Sequence, residues 1–189
     1  HGSGSGRFSP RNQQVAGRLL QDHLGTLLID LLLDSEGDDR AKVFDIDLLA
    51  RRVLTSVQWL RKQEETRGLP IGCFGASTGA AAALVAAARR PSDIRAVVSR
   101  GGRPDLAGDQ LADVLAPTLL IVGGSDHEVL RLNHDAMELL PCEKKLILVP
   151  GATHLFSEPG ALEEVARLAS EWFLNHLAQT SPRPEHALA

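Results

Sequence analysis

The chain of 189 residues is long enough to bury a substantial core, and its 43% hydrophobic and 23% charged content is ordinary for a globular protein. A net charge of −4 leaves no basic surface for nucleic acid, no Lys/Arg cluster marks a membrane face, and no apolar run reaches the roughly 20 residues a membrane-spanning helix needs. Cys73 and Cys142 lie in unrelated contexts without metal-type spacing, and the glycine-rich start has no apolar signal core, so we read a cytoplasmic, reduced protein.

The first residues, His1-Gly2-Ser3-Gly4-Ser5-Gly6, form a glycine-rich loop. Such a loop normally hangs from the end of a strand, and no strand precedes this one. The expectation is therefore a piece of a longer protein whose earlier strands are missing. Ser9-Pro10 then starts a helix with Val15, Leu19, Leu20 and Leu24 on one period, closed by Gly25. The near-continuous apolar run 26–33 predicts a strand covered on both faces. Asp34 to Arg40 reads as a solvated acidic loop, not a metal site. Asp45 caps the next helix, in which Ile46, Leu49, Val53, Val57 and Leu60 form one stripe ending near Gly68.

From Leu69 the pattern is a buried strand, a tight turn at Ser77 and an alanine-rich helix over 78–89, broken at Pro91-Ser92-Asp93. Strands are predicted at 94–99, 118–122 and 144–149, with helices near 111–115, 129–140 and 160–178. Ser181-Pro182-Arg183-Pro184 lies in a polar tail, 179–189, expected to be disordered, after one domain over 1–178. Strands alternating with helices imply βαβ units: an α/β fold with a mostly parallel sheet of about five or more strands and helices on both faces. In such sheets ligands bind beyond the carboxyl ends of the strands.

The motif Gly75-Ala76-Ser77-Thr78-Gly79 spans the strand-to-helix turn. Five letters alone arise by chance in a Gly- and Ala-rich segment, so the context carries the reading. In a nucleophile elbow the serine sits in a strained conformation that lifts its hydroxyl above the sheet edge, and glycine fits best two residues to either side. A serine hydroxyl needs a base to take its proton, and the base needs a carboxylate to hold its tautomer. Asp126, after strand 118–122, and His154, after strand 144–149, complete the order Ser77, Asp126, His154. Asp105 is the alternative acid. His127 follows the wrong strand for a base, His134 and His176 lie on helices, His23 and His186 lack partners, and Cys73 is a core residue. One oxyanion donor would be the Thr78 N–H. The other is assigned to the first loop, at Ser3, with Gly2 or Gly4 as alternatives. A phosphate loop is disfavoured because no Gly-Lys-[Ser/Thr] follows.

These residues resemble the α/β-hydrolase superfamily, and within it the dienelactone hydrolase-like small serine esterases. The carriers are His1-Gly2-Ser3-Gly4, Gly75-Ala76-Ser77-Thr78-Gly79, Val122-Gly123-Gly124-Ser125-Asp126 and Gly151-Ala152-Thr153-His154. The resemblance implies Ser77 as nucleophile, Asp126 as acid, His154 as base and a small-molecule ester substrate, without metal or cofactor. True dienelactone hydrolases use a cysteine nucleophile, so Ser77 favours ordinary carboxylesterase chemistry. The interval between strands 94–99 and 118–122 is too short for a lid domain, which implies an open site for short-acyl esters. Arg100 and Arg103, at the edge of that site, are candidate partners for an acidic substrate group, or for Asp105. Thioesterase, lactonase and amidase chemistry use the same triad. The reading from another class is a non-catalytic module of a longer polypeptide. No nucleic-acid or membrane partner is expected, and oligomeric state is not legible.

Overall fold

The structure, a computed structural model, describes residues 1–2 and 4–178. The expectations for Ser3 and for the tail 179–189 therefore lie outside the described residues. In chain order the helices are α1 (Pro10–Gln21), α2 (Arg40–Val43), α3 (Ile46–Lys62), α4 (Thr78–Arg89), α5 (His127–Leu139) and α6 (Ala161–Leu177). The strands are β1 (Ile71–Ala76), β2 (Ile94–Arg100), β3 (Thr118–Gly123) and β4 (Lys144–Val149). They form one sheet in the order β1-β2-β3-β4, and every pairing is parallel. The chain belongs to the α/β class, with helices on both faces of the sheet.

Each face of the sheet has its own core, because side chains alternate along a strand. Ile94 and Val97 of β2 face a cluster built from α3, α4 and α5, including Leu49, Val53, Leu84 and Ala136. Ala96 and Val98 of the same strand face the opposite cluster, where α1 and α6 supply Val15, Leu19, Leu162, Val165 and Phe173. β3 contributes Leu119 and Ile121 to that second cluster. Each fully buried Leu or Ile stabilises the fold by about 1.5–3 kcal/mol relative to exposure. α4 is buried along almost its whole length, with Ala80, Ala81, Ala82 and Leu84 at 0% exposure. Its small side chains allow it to lie between the sheet and α3. Asp45 caps α3 as expected, accepting a hydrogen bond from the Leu48 N–H at 2.9 Å.

Several expectations need correction. The strand predicted at 26–33 does not form, so four strands replace five among the described residues. At Leu31 side chains take the backbone groups that a ladder would have used. The Leu31 N–H donates to His1 Nε2 at 2.8 Å, and the Leu31 carbonyl accepts from Arg52 Nη1 at 2.6 Å. Leu31 is buried, whereas Leu27 and Leu33 are exposed. An apolar run encodes burial, but a strand also requires a neighbour. Among the described residues β1 is paired on one side only, and its first four residues are half-buried where a buried strand was expected. α1 ends at Gln21, before Gly25, and Leu20 is exposed.

The acidic loop is not wholly solvated. Glu36 is buried and accepts hydrogen bonds from Arg52 and Lys42 and from the Leu33 N–H. α3 stops at Lys62, short of Gly68. In place of a helix at 111–115, a 3₁₀ stretch runs over Pro104–Asp113, interrupted at Gly108 where φ is 56°. No described helix is long and apolar enough to cross a membrane.

Candidate active site

β1 delivers the chain to Ser77, whose φ of 51° and ψ of −124° lie where side chains are strongly disfavoured. Such a conformation costs about 1–3 kcal/mol and persists only if the surroundings impose it. Here they do. A Cβ on Gly75 would collide with the Gly79 carbonyl and the Ala80 backbone, and one on Gly79 would lie 2.5 Å from the His1 carbonyl oxygen. One on Gly2 would lie 2.7 Å from Ser77 Cβ. The first loop is thus packed directly on the turn. The Ser77 carbonyl also accepts from the Arg103 N–H at 3.1 Å, tying the turn to the segment after β2. Thr78 begins α4, so its N–H has no intrahelical acceptor and points from the positive end of the helix.

The loops after β3 and β4 are bound to one another. The Gly124 N–H donates to the Val149 carbonyl at 2.9 Å, and the Ser125 N–H to the Ala152 carbonyl at 2.9 Å. Gly123 lies so close to Ala152 that a Cβ would strike its carbonyl. This backbone zipper brings Asp126 to His154, whose Nδ1 lies 2.7 Å from Asp126 Oδ2. A carboxylate accepts, so Nδ1 carries the proton and Nε2 is left with its lone pair. Phe156, fully buried with φ 54°, anchors the far side of the loop, and Thr153 Oγ1 donates to Glu158 Oε1 at 2.6 Å. Asp126 is well covered, its side chain 14% exposed, whereas that of His154 is 42% exposed.

Ser77 and His154 line one cleft of about 170 Å³, together with Gly2, Arg11 and Arg100. Of the two candidate arginines, Arg100 lines this cleft. Arg103 does not, and instead forms a two-pronged pair with Asp105 at 2.9 and 2.7 Å. That pairing occupies the carboxylate of the alternative acid. Arg103 is held charged by Asp105, which raises its pKa. Burial pushes the Cys73 thiol up to about 12, consistent with an inert thiol against the core. His127 and His134 are exposed on α5, and His176 faces Glu143 at 3.7 Å. Among the described residues no group of three or more His, Cys, Asp or Glu side chains could hold a metal. Sequence reasoning missed Arg11. Its only signal was its place in the first turn of the helix after the glycine loop, off the apolar stripe.

A model of the dienelactone hydrolase family matches residues 38–180. Two Mycobacterium tuberculosis proteins, from strains CDC 1551 and H37Rv, are 58% identical to this chain over 182 residues. Each bears the name "Putative phosphoribosyl transferase". The match covers 96% of this chain and 41% of each of those proteins, so the chain spans about two fifths of the length of the curated relatives it matches. A dienelactone hydrolase from Anabaena variabilis, known by crystal structure, is 57% identical with a TM-score of 0.90, covering 94% of this chain and 84% of that one. Est1E from Butyrivibrio proteoclasticus shares the fold at 18% identity and a TM-score of 0.78, covering 95% of this chain and 86% of that one.

Proposed function

The chain belongs to the dienelactone hydrolase family, and from that premise we propose that it is a serine hydrolase cleaving small, short-acyl carboxylic esters through an acyl-enzyme. The observation that carries this reading is the 2.7 Å bond from His154 to Asp126 beside a cleft that His154 shares with the strained Ser77. Asp126 accepts the Nδ1 proton of His154, leaving Nε2 to take the proton of the Ser77 hydroxyl. The hydroxyl oxygen attacks the ester carbonyl, and the negative charge that develops on the carbonyl oxygen is met by the Thr78 N–H and an N–H of the first loop. When the tetrahedral intermediate collapses, the ester C–O bond breaks and Nε2 protonates the departing alcohol. A water molecule then loses its proton to Nε2 and attacks the acyl-enzyme. Collapse releases the carboxylic acid and returns the proton to Ser77.

A cleft of about 170 Å³, well below the 300–1,000 Å³ typical of drug-sized ligands, supports a short acyl group. Only residues 101–117 join β2 to β3, too short a stretch for a lid domain, which supports an open approach. Cys73 and Cys142 are both free thiols, which suits a reducing, cytoplasmic setting. The name carried by the mycobacterial relatives is said of much longer proteins, and nothing in this cleft is assigned to ribosyl transfer.

Two measurements test the proposal. A fluorophosphonate probe followed by intact-mass analysis should give one adduct, absent in Ser77→Ala. Hydrolysis of p-nitrophenyl acetate and butyrate should fall to background in the same variant. Equal hydrolysis by both forms would end the assignment, and the absence of any adduct would favour a non-catalytic module.

A further inference from the structure

The cleft holds a second feature that the triad does not use. Arg100, at the end of β2, is 7% exposed, and Arg11 lies half-buried in the first turn of α1. Both line the cleft beside Ser77. Arg100 is held in place: its Nη2 meets Asn12 Oδ1 at 3.4 Å, and its Cζ sits 5.9 Å from the centre of the Phe74 ring. Asn12 is itself oriented by donating to the Gly6 carbonyl at 2.8 Å and to Ser5 Oγ at 3.2 Å. Arg100 Nη1 and Arg11 Nε are shut away from solvent, yet neither has a hydrogen-bond partner among the described residues.

Nor does either guanidinium form an ion pair among those residues, whereas Arg7, Arg18, Arg52, Arg103 and Arg167 all do. Two neighbouring cations sharing a sheltered site without a counter-charge are costly, and burial together with Arg11 lowers the Arg100 pKa to about 10. An arrangement with two unused donors shielded from solvent, one of them held in place, is completed by an anion.

We propose that Arg11 and Arg100 form an anion subsite beside Ser77 that takes a phosphomonoester dianion carried by the ester substrate. The assignment to substrate rests on the serine-hydrolase reading. The charge count favours a phosphoryl group over a carboxylate. A dianion compensates both guanidiniums and offers three acceptor oxygens, whereas a carboxylate leaves one positive charge unmatched. The positive end of α1, where Arg11 sits, adds attraction of the same sign.

Calorimetric titration of inorganic phosphate into Ser77→Ala protein tests the site without requiring turnover. Saturable one-site binding is expected, weakened about tenfold or more when Arg11→Gln or Arg100→Met is added, with acetate binding weaker than phosphate by a similar factor. Should Arg100→Met fail to fold, Arg11→Gln carries the test. In the wild-type chain phosphate should compete with p-nitrophenyl acetate. There, 1-acetylglycerol 3-phosphate should exceed 1-acetylglycerol in kcat/KM by about tenfold, an advantage that Arg11→Gln erases. No phosphate binding, binding indifferent to both substitutions, or acetate binding as tightly as phosphate overturns the phosphoryl subsite. Phosphate binding without preference for the phosphorylated ester overturns its assignment to substrate. Phosphate binding with no ester turnover in any form sinks the hydrolase reading and leaves the anion site supported.

Discussion

Replacing Ser77 by glycine should make the protein more stable than replacing it by alanine, the reverse of the usual order. At φ 51° and ψ −124° a side chain costs about 1–3 kcal/mol, and alanine retains that cost whereas glycine removes it. Glycine adds an unfolded-state entropy penalty of about 0.5–1 kcal/mol. The difference leaves Ser77→Gly ahead of Ser77→Ala by about 1 kcal/mol. The hydroxyl makes no capping hydrogen bond, so its loss is common to both variants and cancels. For a domain of this size about 1 kcal/mol corresponds to roughly 2–4 °C in Tm. Differential scanning calorimetry of the two variants under one buffer measures the gap directly. Both variants should lack esterase activity, so the gain is stability obtained by discarding the proposed nucleophile. A Ser77→Gly Tm equal to or below that of Ser77→Ala would refute the claim that the surroundings hold this turn under strain.

Asp126→Asn should lower kcat for p-nitrophenyl acetate by about ten- to a hundredfold with KM little changed, since it removes the charge from a bond of 2.7 Å. An unaltered kcat would show that His154 does not depend on that carboxylate. Glu36 is held at about 2, below its ordinary 4.5, first by Arg52, then by the Leu33 N–H and Lys42. Because the folded value lies below the unfolded one, its contribution is complete above pH 4.5 and fades as pH falls toward 2. The Tm deficit of Glu36→Gln should therefore shrink across that window, and a deficit that grows on acidification contradicts the pairing. Burial raises the pKa of both thiols, so Ellman's reagent at pH 8 should label native protein slowly at Cys73 and Cys142 and rapidly after denaturation. Fast labelling of Cys73 in the native state would argue against its packing on the core.

What could be read from the sequence follows from what short-range chemistry can encode. Asp45 before an apolar stripe specified the start of α3, and the bounds of α4 and β4 were matched residue for residue because turn and breaker residues flank them. The placement of Ser77, Asp126 and His154 past the ends of β1, β3 and β4 was likewise legible, since a parallel sheet sets those loops along one edge. Burial of Glu36 was not, because its partner Arg52 lies a helix away and nothing local marks the pair. The strand expected at 26–33 failed for a related reason: Leu31 has its backbone taken by His1 and Arg52, and an apolar run cannot specify whether a neighbouring strand will be there.

Local chemistry alone specified the alternation of strands and helices and placed the candidate residues Ser77, Asp126 and His154 just past strand ends. Periodicity, capping and turn residues are local properties. Only the tertiary structure decided that Gly2 would rest on Ser77, that the Gly123–Asp126 and Val149–His154 segments would bind each other's backbones, and that Arg11 and Arg100 would meet in one cleft. Those contacts join residues dozens of positions apart, and the first two depend on how closely glycine backbones can approach once the sheet has formed.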